Sequence, residues 1–388
     1  MTDDARARFR ERIGDVVGVD PGRVTLFAKG RVALYAILRA LEVGPGDEVI
    51  VPAFTCVAVP NAIAYTGATP MWVDVDPERY TIDPGAVEAA IGPRTRVILA
   101  QNTFGLSADL GPIVAIGDRH GVTVIDDCAH GLGGTYRGRA NGSTTPFAFL
   151  STQWSKPVST GLGGVAIDRD GTASGGLLEL ERRAAEPPFR RVAPLRLLVA
   201  AHARAGHGRL FRAGRETYRA LGRLDLVPGS SSNEELTGPR MPDGFLARLS
   251  PAQARLGVEA LARLPAALER RREIAHRYTS WLVAHGRTPA PEPPDSRHVF
   301  LRYPLRARRR DALESLARRR GVDLGDWFVS PIHPITRGLD RWGYVAGSAP
   351  RAEEACREIV NLPTDPWLSD HDVERVLALI DEAADAIA

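Results

Sequence analysis

A mostly parallel α/β sheet with helices on both faces is the fold class this sequence predicts, and three observations predict it. Short apolar runs at Glu48–Val51, Pro70–Asp74, Arg96–Ala100 and Val122–Ile125 alternate with helical patterns of about ten residues. Turn residues punctuate the segments, as at Gly44-Pro45-Gly46. The polar loops follow strand ends, at Gln101–Gly105, Asp126–Gly134 and Ser151–Gly164. A parallel sheet carries its ligands at those carboxyl ends.

Taken in order, residues 3–17 read as a short charged helix. Val24–Phe27 leads into Lys29-Gly30-Arg31 and a helix in which Leu34, Ile37, Leu38 and Leu41 recur at helical spacing, ended by Gly44–Gly46. Helices over 57–64, 84–90 and 111–119 separate the strands that follow. Residues 170–245 change character. Glu181–Arg191 is charged and holds Pro187 and Pro188, residues 194–224 form a basic amphipathic helical stretch, and Pro228–Ser232 reads as a mobile loop. From Leu249 a long helix runs through Leu256, Leu261, Leu264 and Ile274 to Leu282, followed by a linker at Pro289–Pro294. A smaller α/β unit comes last: a strand over Val299–Tyr303, a helix over 310–319, and a helix from Asp370 that Ser369 and Asp372 cap. The expected division is a large domain over 1–245, with 170–245 a variable, partly helical excursion, and a small domain over 246–388 with its linking helix.

Hydrophobic residues make up 44% of the 388 positions and charged residues 25%, the balance of an ordinary soluble globular protein. A net charge of +3 gives no support to a nucleic-acid partner. Cys56, Cys128 and Cys356 are far apart, match no zinc spacing and fit a reduced cytoplasmic compartment, so no metal is expected. The first residues lack the apolar core of a signal peptide, and no apolar run approaches the length of a transmembrane segment.

Lysine is the informative residue. The chain has 50 Lys and Arg together, and only Lys29 and Lys156 are lysine. Arginine can replace lysine where charge alone is wanted, but not where a deprotonatable amine must act as a nucleophile. Lys156 lies in Ser151–Lys156, before the glycine-lined turn Thr160–Gly164, and 29 residues after the acidic strand end Val124–Asp127. A carboxylate and then a lysine, each at a predicted strand end, is what a pyridoxal 5′-phosphate enzyme needs. Lys156 is the amine that condenses with the cofactor aldehyde, is displaced by a substrate amine, and then shuttles a proton. A surface lysine is the bland alternative. Asp127 is the candidate partner of the ring nitrogen, with Asp126 the structural alternative, because adjacent strand residues face opposite ways. His130 could pack on the ring, reach its phenolate oxygen, or simply bond backbone at a helix start. For the phosphate, Gly30 offers backbone N–H groups at a helix start, Arg31 a forked donor, and Ser151 a hydroxyl. Lys29 either assists there or does not. Gly161–Gly164 lacks nucleotide-loop spacing. The arginines of 194–224 suit an anionic substrate, a membrane surface, a partner subunit or a solvated face equally.

With these residues in place, the chain resembles the DegT/DnrJ/EryC1/StrS family of sugar aminotransferases from about Val24 onward. The similar segments are Gly46–Thr55, Gly67–Asp76, Val124–His130, Ser151–Lys156 with Thr160–Gly164, Arg248–Ala254 and Asn361–Pro363. The resemblance implies a fold type I pyridoxal phosphate enzyme, a homodimer with shared active sites, an amino-acid donor such as glutamate and a nucleotide-linked keto-sugar acceptor. It implies Lys156, Asp127 and His130 as catalytic residues, with Ser151, Gly30 and Arg31 at the phosphate and Thr55, Cys56 and Asn102 in the loops bordering the ring. This sequence departs from the pattern at several of these positions. Cys56 stands where the family stacks an aromatic on the ring, and Trp154 is a candidate substitute. The strand-end loop reads Asn102-Thr103-Phe104-Gly105 without the usual histidine. Leu246 stands where an asparagine reaches the partner's phosphate, and Arg31, at a usual threonine, is a candidate compensation.

Three functions follow, from different classes: an aminotransferase making an amino sugar or related metabolite of a biosynthetic pathway, a lyase, dehydratase or condensing enzyme on the same scaffold, and a non-catalytic cofactor-binding sensor. Retention of Lys156 argues against the dehydratase branch, where the resemblance leads one to expect histidine. The absence of an evident nucleic-acid-binding module argues against the sensor.

Overall fold

The structure is a computed structural model that describes residues 2–188, 192, 231–293 and 295–388. The strands are β1 (Val24–Phe27), β2 (Glu48–Pro52), β3 (Thr55–Cys56), β4 (Thr69–Val73), β5 (Thr95–Gln101), β6 (Thr123–Asp127), β7 (Thr135–Tyr136), β8 (Arg139–Ala140), β9 (Phe147–Ser151), β10 (Gly164–Asp168), β11 (Tyr303–Arg306), β12 (Ile332–His333) and β13 (Ile359–Leu362). Seven of them form one sheet in the order β1-β10-β9-β6-β5-β2-β4. The run from β9 to β4 is parallel throughout. β10 and β1 close the other edge antiparallel. Strands such as β2 are buried at every residue, which is why they read as continuous apolar runs rather than alternating ones.

Helices α1 (Thr2–Val17), α2 (Gly30–Ala40), α3 (Ala58–Ala64), α4 (Pro84–Ala90), α5 (Leu110–His120) and α6 (Ser174–Arg183) accompany the sheet. On one face, α2 buries Val32, Leu34, Ile37 and Leu38 in a cluster with Val49, Val51, Val97 and Phe149. On the other, α5 packs Leu110, Ile113 and Ile116 against Ile50, Ile98 and Val124. α5 stops at Gly121, whose φ of 66° closes the helix at a left-handed residue that glycine adopts without strain.

α7 (Asn233–Thr237) precedes the long α8 (Pro251–Ala284), then α9 (Arg310–Arg320), α10 (Pro350–Glu358) and α11 (Asp370–Glu382). Ser250 and Gln253 form a reciprocal capping box that starts α8, with Pro251 at its first position. Ser369 and Asp372 do the same for α11, as the sequence indicates. β11 and β13 pair as a small antiparallel sheet, and β12 pairs with β3. That second pairing matters for function. It ties the C-terminal residues to the segment after β2, and one apolar cluster holds Phe54, Val57 and Phe104 together with Tyr303, Phe328, Ile332 and Val360.

Two expectations need correction. The strand expected over 299–303 is displaced to Tyr303–Arg306. Val299, Phe300 and Leu301 are apolar because they are buried. Phe300 has φ 50°, outside strand geometry, and the backbone N–H groups of Val299 and Arg302 donate to Gly105 (2.8 Å) and Phe104 (3.2 Å) instead. The helix expected to end at Gly44 ends at Ala40. The basic stretch 194–224 and residues 228–230 of the expected loop lie outside the described residues. Cys56, Cys128 and Cys356 carry no disulfide. Among the described residues no helix is long and apolar enough to cross a membrane, and no group of side chains could hold a metal ion.

Candidate active site

The carboxyl end of β6 presents two carboxylates, and the pleat sends them apart. Asp126 is fully buried and accepts hydrogen bonds from Asn102 Nδ2 (2.6 Å) and the Gly142 N–H (2.8 Å). Asp127 turns to a cavity that Lys156 also lines. Its Oδ1 accepts from the Ala129 N–H at 2.9 Å. Burial pushes Asp127 up to about 7, against the lowering influence of that N–H and of the Lys156 charge, while Asp126 reinforces the rise. Lys156 is half-buried overall, yet loss of solvation is the largest influence on its amine and brings it down to about 8. Cys56 and Asp127 pull the other way, and Arg302 adds to the fall.

The cavity encloses about 480 Å³, part of it open to solvent. Both lysines of the chain line it, with Asp127, Gly30, Arg31 and Ser151. The sequence singled out all six. The backbone crowds where β10 passes the start of α2: a Cβ at Gly164 would lie 2.1 Å from the Lys29 carbonyl oxygen and 2.7 Å from the Gly30 nitrogen. A Cβ at Gly30 would lie 3.0 Å from the Ser151 Cβ. Gly164→Ala is therefore expected to destabilise the fold by roughly 2 kcal/mol or more through overpacking. The checks are a melting temperature lowered by several degrees and weakened pyridoxal phosphate uptake; an unchanged melting temperature would show that the strand yields without strain.

Four other candidates lie outside the cavity lining. Thr55 is buried and its hydroxyl donates to Gln101 Oε1 at 2.5 Å. Cys56 sits opposite His333 in the β3–β12 ladder. Asn102 is engaged on both ends of its amide: Nδ2 reaches Asp126 and the Asp127 carbonyl (3.0 Å), and Oδ1 accepts from the Ala108 N–H (2.9 Å). It fixes the strand end that aims Asp127. His130 stacks on Trp327 with centroids 4.9 Å apart and planes 7° from parallel. Burial first, then the charges of Lys156 and Arg302, holds its pKa well below the ordinary histidine value, so the imidazole is neutral. Its Nδ1 is buried with no partner among the described residues.

Sequence reasoning missed two neighbours. One is Trp327: the Lys156 amine lies 4.8 Å from its ring centroid. Asn361, in the closing strand, holds Trp327 by exchanging two hydrogen bonds with its backbone, at 3.0 and 2.8 Å. The second is Glu235. The Arg31 guanidinium pairs with this buried carboxylate and donates to Ser231 Oγ at 3.1 Å, so the forked donor expected at a phosphate is engaged there.

These features fit pyridoxal phosphate. A buried acid and a depressed lysine face one cavity, a helix start without a side-chain cap adjoins it, and a buried imidazole nitrogen nearby is unpartnered. An acid and an amine at the carboxyl ends of a parallel sheet, with a small C-terminal sheet packed alongside, define a fold type I pyridoxal phosphate enzyme. The comparisons with known proteins agree. The model of the DegT/DnrJ/EryC1/StrS aminotransferase family matches residues 3–190 and 217–381. The UDP-N-acetyl-3-dehydro-α-D-glucosamine 3-aminotransferase of Acidithiobacillus ferrooxidans is 31% identical over 354 residues, covering 91% of this chain and 82% of the relative. The dTDP-3-amino-3,4,6-trideoxy-α-D-glucose transaminase of Streptomyces venezuelae is 31% identical over 360 residues, covering 92% and 82%. The structure of S. venezuelae DesV in complex with a ketimine intermediate superposes with a TM-score of 0.77 at 28% identity, covering 98% of this chain and 89% of that one. The chain belongs to the DegT/DnrJ/EryC1/StrS aminotransferase family and is a pyridoxal phosphate-dependent aminotransferase.

Proposed function

We propose that this aminotransferase takes an amino group from an amino acid, glutamate foremost, and delivers it to a nucleotide-linked keto sugar. The observation that carries the reading is Asp127 and Lys156 facing one cavity, each with a pKa moved toward neutrality. Support for the acceptor comes from the relatives, whose names describe UDP- and dTDP-linked sugars. The reading includes a soluble cytoplasmic homodimer, supported by family membership.

Pyridoxal 5′-phosphate, when bound, supplies an aldehyde that exchanges amines and a ring that accepts the electron pair of the substrate carbon. This chain's residues supply the rest. Lys156 can attack as a neutral amine at a pH where an ordinary lysine is almost wholly protonated. Once displaced, the same amine is positioned to take a proton from the donor's α-carbon and return it elsewhere. Asp127 can hold a proton at the ring nitrogen, with the Ala129 N–H fixing its orientation. Neutral His130 can share its unpartnered nitrogen with a phenol oxygen. Ser151 and the N-terminus of α2 suit a phosphate ester. Ala129 and Val59 add apolar lining that limits water.

Glutamate added to the loaded enzyme is expected to bleach its visible absorbance while releasing a stoichiometric amount of 2-oxoglutarate. Labelled nitrogen should then pass to the keto sugar and restore the colour. Failure to release 2-oxoglutarate rejects the donor, and release without nitrogen transfer rejects the acceptor.

A further inference from the structure

Trp327 gathers reactive groups of the site around one ring. Its backbone is pinned by the buried Asn361, whose Oδ1 accepts the Trp327 N–H at 3.0 Å and whose Nδ2 donates to the Trp327 carbonyl at 2.8 Å. Asn361 is itself fixed by backbone hydrogen bonds exchanged with Gly325, at 2.8 and 3.0 Å. The half-buried indole packs against two of the apolar clusters, which restrains its side chain as well. His130 stacks on it with planes 7° from parallel. Two cations lie over the ring: the Lys156 amine at 4.8 Å from the centroid and the Arg302 guanidinium carbon at 5.8 Å. They differ in what else they hold. The guanidinium donates to Asp365 at 2.9 Å. The Lys156 amine has no hydrogen-bond or ion-pair partner among the described residues, which leaves the indole face as its direct contact.

We propose that Trp327 is a positioning residue for Lys156: its ring face holds the amine in place and favours the ammonium form, which Lys156 reaches when it takes a proton from a substrate carbon. The inference deepens the pyridoxal phosphate reading of the site and rests on it for its purpose. The face of an indole is negative, and a desolvated ammonium is drawn to it strongly. A neutral amine is not. The contact therefore favours proton uptake where burial and Arg302 oppose it, alongside Cys56 and Asp127, which also favour the charged amine. The other titratable neighbours add no negative charge. Burial, with the Lys156 charge contributing, holds both His130 and His333 below the ordinary histidine pKa, and Lys29 and Arg31 line the same cavity. An aromatic face suits the task better than a carboxylate in direct contact. It steadies the ammonium without taking the proton itself and without tying the amine into a hydrogen bond that attack on an aldehyde would have to break.

The test weakens the ring face while keeping its shape. Trp327 is replaced by tryptophan carrying one, two and three ring fluorines. Lys156 is titrated in the cofactor-free protein by the pH dependence of its reaction with trinitrobenzenesulfonate, read on the peptide that holds it. The midpoint is expected to fall with each added fluorine, by about half a pH unit across the series, at an unchanged melting temperature. The same replacements at Trp342, whose Nε1 donates to Asn61, should leave the midpoint in place. In the loaded enzyme, the glutamate half-reaction at saturating glutamate and a pH well above 8 should slow in the same order. A ring with a merely structural role would move neither the midpoint nor the rate. A midpoint that stays or rises, an equal fall with fluorinated Trp342, or a half-reaction indifferent to the fluorines overturns the assignment and leaves the cofactor reading intact. A wild-type protein that takes up no pyridoxal phosphate overturns the cofactor reading, and with it the purpose assigned to Trp327, while the titration still reports the contact.

Discussion

Lys156→Ala is expected to fold, to lose turnover by roughly 10⁴-fold or more, and to take up pyridoxal phosphate without any bond that borohydride can trap. The variant should fold because Lys156 is half-buried at a cavity rather than packed in a core cluster. The chemical loss is large because one amine has two duties, attack on the aldehyde and proton transfer at carbon. Scarcity makes the result unusually decisive. Lys29 is the only other lysine, so trapping with borohydride and mapping the modified peptide asks a two-way question. Label on the peptide holding 156 in the wild type, and none in the variant, is the expected result. Label that persists in the variant on Lys29 would falsify the assignment. The pH dependence has a definite sign. Only the neutral amine attacks, and burial has moved the pKa from 10.5 down to about 8. Trapping in the wild type should therefore rise with pH through about 8 and level off above it, some two pH units below an exposed lysine.

The parts of this molecule that sequence reveals are those determined by neighbours in the chain. β2, β5 and β6 are short apolar runs because parallel strands are covered on both faces, and β6 ends in Asp127, which lines the cavity. The capping pairs that start α8 and α11 lie three residues apart and are equally visible. Asp127 and Lys156 stand out because a carboxylate at a strand end and a rare lysine in a glycine-rich turn are local signals. The strand expected at 299–303 fails for a non-local reason. Val299–Leu301 is apolar because it is buried, and its backbone partners, Phe104 and Gly105, lie almost two hundred residues earlier. Arg31 shows the same limit. Its guanidinium pairs with Glu235, 204 residues away, a partner that no local pattern around Arg31 announces. Trp327 is also far from Lys156 in sequence, and its hydrogen bonds with Asn361 help to hold it there. Choosing between Asp126 and Asp127 needed the strand's orientation, which two adjacent identical residues cannot reveal.

That pair also supplies the second large effect. Asp127→Asn is expected to keep its fold and most of its cofactor affinity while losing turnover by roughly 10²–10⁴-fold. Asparagine has the same shape, and its carbonyl oxygen can still accept the Ala129 N–H. What it lacks is a negative charge, and a neutral amide cannot hold a proton on the ring nitrogen. A second measurement separates this electrostatic role from a structural one. The Asp127 charge raises the Lys156 pKa, against the burial that lowers it. Removing that charge should move the midpoint of Lys156 trapping below about 8, not above it. Asp126→Asn makes the contrast. Asp126 faces Asn102 and the Gly142 N–H rather than the cavity, so its loss should lower the melting temperature more than it changes the Lys156 midpoint. If Asp126→Asn collapsed turnover at an unchanged melting temperature while Asp127→Asn left turnover near that of the wild type, the roles of the two carboxylates would be exchanged. β6 would then have to present the opposite face to the cavity, a change that reverses every side chain along the strand.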